Sequence, residues 1–256
     1  MTPVYIALNA FGNAEVSRHG QPWFARLAAE AGADGVEVRG DLLHDAPHED
    51  LHKELALLAP FTGVYSEPLG LWTAEGDLDG GALQRGFVRA AALGAPVLKM
   101  SIGGFRIERR DSINDLAILL KGAKAELLIE NDQSETGGTL GALQDFFQAA
   151  DAVGLKLGMT FDMANWHYQG ESPLEAAKAL APRVRYVHCK GAQRLPNKWV
   201  AVPLVESLAP WRAILRALPG DVPHGIEYPL VGDDLLATTR AEVQRLKGLR
   251  AVPSAN

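Results

Sequence analysis

The stretch "LLIEND", residues 127–132, decides the reading of this chain. Leu127, Leu128 and Ile129 suit a buried strand, and Glu130, Asn131 and Asp132 follow with no turn residue between. A strand that runs from a core straight onto a carboxylate belongs where strand ends do chemistry. Working outward, the same design recurs. Short apolar runs stand at "VYIAL" (4–8), "GVEVR" (35–39), "TGVYS" (62–66), "PVLKMS" (96–101), "ELLIE" (126–130), "LGMTFD" (157–162), "VRYVHC" (184–189) and "HGIEY" (224–228). Between them lie Ala/Leu/charged stretches of helical character. "PWFARLAAEAG" carries Pro22 near its first turn and stops at Gly32. Further stretches stop at Gly94, Gly122 and Gly154; Asp111 is a candidate N-cap, and Ser172-Pro173 reads as a cap followed by a first-turn proline.

Strands alternating with helices indicate a parallel sheet. Eight such units in 256 residues match a single α/β (β/α)8 TIM barrel of eight parallel strands. A doubly wound sheet is the runner-up, but it usually has fewer strands. No linker-like segment divides the chain, so 1–256 is expected to form one domain, with a frayed tail "RAVPSAN" at 250–256.

Composition narrows the function classes. Formal net charge is −6 and the 25 Lys+Arg are scattered, which argues against a nucleic-acid partner. The single cysteine, Cys189, excludes an internal disulfide framework and fits a reducing compartment. No secretory signal pattern and no long apolar run occur, so a cytoplasmic protein without a membrane span is expected. "SIGG" and "ETGG" lack the following Lys-Ser/Thr of a P-loop and are not a dinucleotide fingerprint, so no nucleotide cofactor is expected. A Gly-x-Ser-x-Gly elbow is also missing.

Barrel active sites lie at the C-terminal strand ends. Four consecutive strands end on metal-binding residue types: Glu130, Asp162, His188 and Glu227. Taken singly, each could equally begin a helix or sit as a satisfied core residue. Four on neighbouring strands favour convergence on one divalent ion. Three carboxylates and an imidazole suit Mn²⁺ or Mg²⁺ and admit Zn²⁺, Co²⁺ or Fe²⁺.

With these residues in place, the chain resembles the xylose-isomerase-like TIM-barrel superfamily of sugar isomerases and 3-epimerases, which shares its fold with endonuclease IV. The phrases "IENDQSETGG", "MTFDMANW", "YVHCKG", "WVAVP" and "IEYPLVGDDLL" look like the branch encoded with bacterial 2-ketogluconate utilisation genes. The resemblance implies that Glu130, Asp162, His188 and Glu227 hold the ion and that Glu130 and Glu227 do the acid/base work. It is also compatible with a dimer or tetramer. The chain departs from the pattern at Asn165, where relatives often have histidine (His167 follows two residues later), and at Gly191, where many have aspartate. The Gly-x-Gly loop often found before the eighth strand is replaced by "WVAVPLVES", and the third strand offers Ser66 and Glu67 rather than histidine. These losses count against a second or third metal.

Epimerising a carbon next to a carbonyl removes one acidic C–H proton and returns another to the opposite face through an enediolate, whose charge a divalent ion stabilises. Two bases on opposite faces are convenient, and aldose–ketose isomerisation needs nearly the same equipment. Glu37 and Arg39 share one face of the second strand, Lys190 shares the face of His188, and Lys99 lies in the fourth strand. With Asn165 and His167 they are the candidate substrate contacts. The cations suggest an anionic substrate such as a sugar acid or sugar phosphate; the competing reading pairs them with Glu37, Glu67 or the ligand carboxylates. Trp72, Trp166, Trp199 and Tyr228 could wall a sugar or simply pack. Asn131 is expected to bond a hydroxyl or order its loop, and Cys189 alternates away from the site. The leading expectation is a metal-dependent isomerase or epimerase of a small sugar or sugar acid. A dehydratase of a keto-sugar acid, a non-catalytic sugar-acid-binding barrel and, far behind, a nuclease are the alternatives; 7 histidines are few for a multinuclear zinc site.

Overall fold

A computed structural model describes residues 2–43 and 48–249. Strands β1 (Val4–Ala7), β2 (Gly35–Arg39), β3 (Thr62–Ser66), β4 (Val97–Ser101), β5 (Glu126–Glu130), β6 (Gly158–Asp162) and β7 (Val184–Cys189) follow one another around a cylinder. The chain then inserts an antiparallel hairpin, β8 (Gly191–Leu195) and β9 (Lys198–Val202), before β10 (His224–Ile226) closes the barrel against β1. All eight barrel pairings are parallel. The expected (β/α)8 TIM barrel is therefore the observed fold, and seven of the eight predicted strands match to within a residue at either end. The eighth ends at Ile226, so Glu227 sits just past it rather than inside it.

The helices are α1 (Asn13–His19), α2 (Gln21–Glu30), α3 (His48–Leu58), α4 (Gly80–Ala92), α5 (Ser112–Leu119), α6 (Leu140–Ala152), α7 (Pro173–Leu180), α8 (Trp211–Ala217) and α9 (Leu235–Gly248). Ser172 caps α7 by accepting the Glu175 N–H, with Pro173 behind it, as its sequence predicts. Gly32, Gly94, Gly122 and Gly154 all adopt the left-handed backbone that ends a helix. Asp111 is a correction. It precedes α5, but its backbone is already helical and its side chain caps nothing, because the turn is closed instead by Ser112 Oγ donating to the Arg109 carbonyl. Two elements have no counterpart in the sequence reading, α1 and the β8–β9 hairpin. The predicted fraying of 250–256 lies outside the described residues. Among the described residues, no helix is long and apolar enough to cross a membrane.

Two-residue alternation places the site. Val64, Leu128 and Tyr186 form an apolar plug inside the cylinder, with Tyr5 and Val97 against it. One period farther along the same strands stand Ser66, Glu130, His188, Ala7 and Lys99, which therefore face inward just above the plug. Gly225 makes room for this layer: a Cβ there would come within 2.1 Å of Tyr186 Oη and 3.1 Å of His188 Cδ2. The opposite faces of the strands pack on the helices. Trp72 stacks edge-on against Phe105 and Phe146, and Trp166 packs on Phe161, so both tryptophans belong to that outer core. Cys189 lies there as well.

Candidate metal centre and active site

The opening stretch now resolves residue by residue. Glu130 ends β5 pointing into the barrel. Asn131, fully buried, turns to β6 and clamps its end: Nδ2 donates to the Asp162 carbonyl at 3.0 Å, and Oδ1 accepts the Asp162 N–H at 2.8 Å. Asn131 thus orders the strand end. Asp132 begins the loop above, where its Oδ1 accepts from Ser134 N and Oγ.

Asp162 is held in turn. Its Oδ1 accepts the Ala164 and Asn165 N–H groups, both at 2.8 Å, which leaves Oδ2 facing the barrel axis. There one donor atom each from Glu130, Asp162, His188 and Glu227 lie within 4.8 Å of one another. His188 Nδ1 stands 2.8 Å from Glu130 Oε1, 2.9 Å from Glu227 Oε2 and 3.5 Å from Asp162 Oδ2. Donors bonded to one ion at ~2.0–2.2 Å with tetrahedral or octahedral angles stand about 3.0–3.5 Å apart, so the set fits a single small divalent ion with little movement. Asp162 Oδ2 and His188 Nδ1 are both buried without an aligned hydrogen bond, and their close neighbours are the other charged groups of the set.

Cations surround this set. Lys99 Nζ bridges Glu37 Oε1 at 2.8 Å and Glu130 Oε2 at 2.7 Å. Lys190 Nζ reaches Asp162 Oδ2 at 2.6 Å and Glu227 Oε2 at 2.9 Å. Arg39 Nη1 lies 3.3 Å from Glu227 Oε1 and 3.4 Å from Glu37 Oε1, while its Nε donates to Asp41 at 3.2 Å. Burial by itself would push the Glu227 carboxyl up, but His188, Lys190 and Lys99 hold it well below the usual carboxylate range. Glu130 is likewise held low, by Lys99 and His188 against its burial. Burial would depress His188, yet Glu227, Glu37 and Glu130 raise it well above an ordinary imidazole.

A cavity of ≈ 430 Å³ opens over these groups, walled in part by Glu130, Glu227, Arg39, Lys190 and Asn165. Of the predicted substrate contacts, Arg39, Lys190 and Asn165 therefore line it. Glu37 and Lys99 do not: they lie beneath it, at 0% and 1% exposure. His167 also stands outside the lining, stacked on Trp199 of β9 with ring centroids 4.6 Å apart. Tyr228 lines the cavity while its hydroxyl donates to Glu242.

Sequence reasoning missed Asn9, Asp132, Gln133 and Ala201, which also line the cavity. Asn9 Nδ2 donates to Glu227 Oε1 at 3.3 Å. Counting in twos from Tyr5 through Ala7 reaches Asn9, but the chain coils into a 3-10 turn at Leu8–Phe11 and breaks the strand pattern there. Ala201 belongs to the unpredicted hairpin; it lies within "WVAVP", a phrase that carried the resemblance but was not read as a strand.

Solved structures share this architecture at low identity. The "probable 3-DHS dehydratase AsbF" of Bacillus anthracis is 17% identical with a TM-score of 0.69, covering 96% of this chain and 98% of its own. The D-psicose 3-epimerase of Clostridium cellulolyticum H10, solved with D-tagatose, is 13% identical with a TM-score of 0.67, covering 98% and 99%. A xylose isomerase-like TIM barrel protein from Mycobacterium smegmatis, solved with magnesium, is 17% identical with a TM-score of 0.67, covering 98% and 97%. At these identities the likeness is one of fold. No curated protein matches the chain significantly. The model of one protein family matches residues 25–249, and by that match, over a closed barrel with four converging residues of metal-binding type, the chain belongs to the xylose isomerase-like TIM barrels.

Proposed function

We propose that this protein is a divalent-metal-dependent isomerase or epimerase of a small sugar or sugar acid. The observation that carries the reading is the facing pair Glu130 and Glu227. Both line the cavity, and both approach the same nitrogen, His188 Nδ1, Glu130 from the end of β5 and Glu227 from just past β10. Glu130, Asp162, His188 and Glu227 would hold Mn²⁺, Mg²⁺ or Zn²⁺, which supplies positive charge against the developing enediolate. The chain's own groups handle the proton. In epimerisation one of Glu130 and Glu227 acts as the carboxylate that takes the proton from carbon, a form its cationic neighbours favour, and the other acts as the protonated acid that returns one to the opposite face. In aldose–ketose isomerisation a single glutamate takes the proton from one carbon and returns it to the next.

The cavity wall favours an acid over a neutral sugar. Arg39 offers a guanidinium suited to bidentate grip of a carboxylate, and Lys190 stands beside it in the same wall. A 2-ketogluconate-related acid fits this class and is the finer reading.

Dehydration of a keto-sugar acid is the second reading, supported by the fold likeness to the B. anthracis protein. It uses the same bases and ends in loss of the mass of one water. The test is incubation of the Mn²⁺-loaded protein in D₂O with a panel of ketoses and keto-sugar acids, read by NMR and mass spectrometry. Deuterium at one carbon with no mass loss supports epimerisation or isomerisation. No exchange anywhere in the panel would overturn the proposal.

A further inference from the structure

Glu37 and Lys99 lie too deep to touch a substrate, yet they are joined to the ligand set on both sides. His188 Nε2, the nitrogen facing away from the ligand atoms, lies 2.7 Å from Glu37 Oε2. Glu37 Oε1 lies 2.8 Å from Lys99 Nζ, which lies 2.7 Å from Glu130 Oε2. Glu130 Oε1 returns to His188 Nδ1 at 2.8 Å. The four side chains, from β7, β2, β4 and β5, close a ring in which each carboxylate spends one oxygen on Lys99 and the other on the site.

Resting on the metal-site reading above, we propose that Glu37 and Lys99 are positioning residues that preset two of the four metal ligands. A neutral imidazole has one donor and one acceptor nitrogen, and the partner of the donor decides which is which. Nδ1 faces the Glu130 and Glu227 carboxylates, so an ion bound among them would take its lone pair, and Glu37, an acceptor only, would then hold the ring proton on Nε2. Lys99 ties Glu37 to Glu130 and fixes the oxygen of Glu130 that remains for the ion. The layer is held from below and around: Glu37, Lys99 and His188 are buried, Glu130 is open only toward the cavity, and His188 packs edge-on against Tyr186 of the plug. Support of this kind for a ligating histidine commonly changes metal affinity by about 10–100-fold when removed.

The experiment uses the full chain, stripped by chelator and reloaded. Long-range ¹H–¹⁵N NMR of the Zn²⁺-loaded wild type reads the tautomer directly: the ring is expected to carry its proton on Nε2, with that proton strongly downfield. Calorimetry of Mn²⁺ binding then compares wild type with Glu37→Leu and Glu37→Gln. Glu37→Leu is expected to bind Mn²⁺ about 10–100-fold more weakly and to lose the downfield proton. Glu37→Gln keeps an acceptor of the same shape and is expected to lose less than Glu37→Leu. Undiminished Mn²⁺ binding by both variants overturns the inference while the metal site stands; a wild-type proton on Nδ1 overturns the Nδ1 ligand and the inference with it. Failure of the wild type to take up either ion overturns the metal site and the inference with it.

Discussion

Replacing Lys99 by methionine isolates the electrostatics of the buried layer. Methionine keeps most of the side-chain volume, so the change removes a charge rather than opening a cavity. Lys99 Nζ is the buried partner of two carboxylates, at 2.8 Å and 2.7 Å. Removing one member of a buried ion pair costs ~3–5 kcal/mol, because the remaining charge is left without a partner. For a chain of this size each kcal/mol moves the melting temperature by ~2–4 °C, so Lys99→Met in chelator should melt about 6–20 °C lower at pH 7. The pH dependence separates this from packing. Lys99 helps hold Glu37 and Glu130 low against their burial. A carboxyl held low stabilises the fold above its unfolded value of ~4.3 and loses that contribution as pH falls toward its folded value. Wild type therefore has the larger contribution to lose on acidification, because in Lys99→Met only His188 and Arg39 still hold the carboxyls low, so the two stabilities should converge as pH drops. Urea unfolding at several pH values in chelator measures it. Leu98→Ala, at a fully buried neighbour, is the control: ~2–5 kcal/mol with no convergence. A Lys99→Met deficit below ~1 kcal/mol at pH 7, or one that does not change with pH, would refute the reasoning.

Three further outcomes follow from the same geometry. Glu130→Gln and Glu227→Gln should each lower deuterium exchange by about 10²–10⁴-fold, the usual worth of a positioned proton-transfer group; a variant with wild-type exchange removes that residue from the chemistry. Arg39→Ala should reduce kcat/KM for acid substrates by roughly 10–150-fold, the value of a charge-assisted hydrogen bond, and neutral ketoses less; equal losses for both would count against an anion subsite. Because Glu227, Glu37 and Glu130 raise His188 above an ordinary imidazole despite its burial, the chelated protein should release about one proton from it on binding Mn²⁺ at pH 7. Apparent affinity should then climb with pH, and calorimetry in buffers of different ionisation enthalpy would detect the proton; affinity flat from about pH 6 to 8 would contradict this.

The barrel was legible because each strand is a short apolar run and most helices are stopped by glycine or opened by a cap. The convergence of Glu130, Asp162, His188 and Glu227 was legible because they stand at the ends of consecutive barrel strands, which the topology brings together. The hairpin was not, since "GAQRL" and "KWVAV" carry no Asn-Gly or Asp-Gly turn, and the stretch reads as a loop. Depth was the other gap. Period-two alternation says that Glu37, Arg39 and Lys99 face inward, but not how far each reaches. Arg39, at the end of β2, extends to the cavity wall. Glu37 is one period lower and meets His188 instead. His167 illustrates a third limit: its sequence position beside Asn165 suggested the site, but the intervening turn sends its ring onto Trp199, a residue more than thirty positions away.

The central claim is that Glu130, Asp162, His188 and Glu227 hold one ion. Anomalous diffraction from crystals grown with Mn²⁺ tests it most directly. The account predicts a single strong peak bonded to His188 Nδ1, Asp162 Oδ2 and an oxygen of each glutamate; no peak there, or an ion bound elsewhere on the barrel, would contradict it.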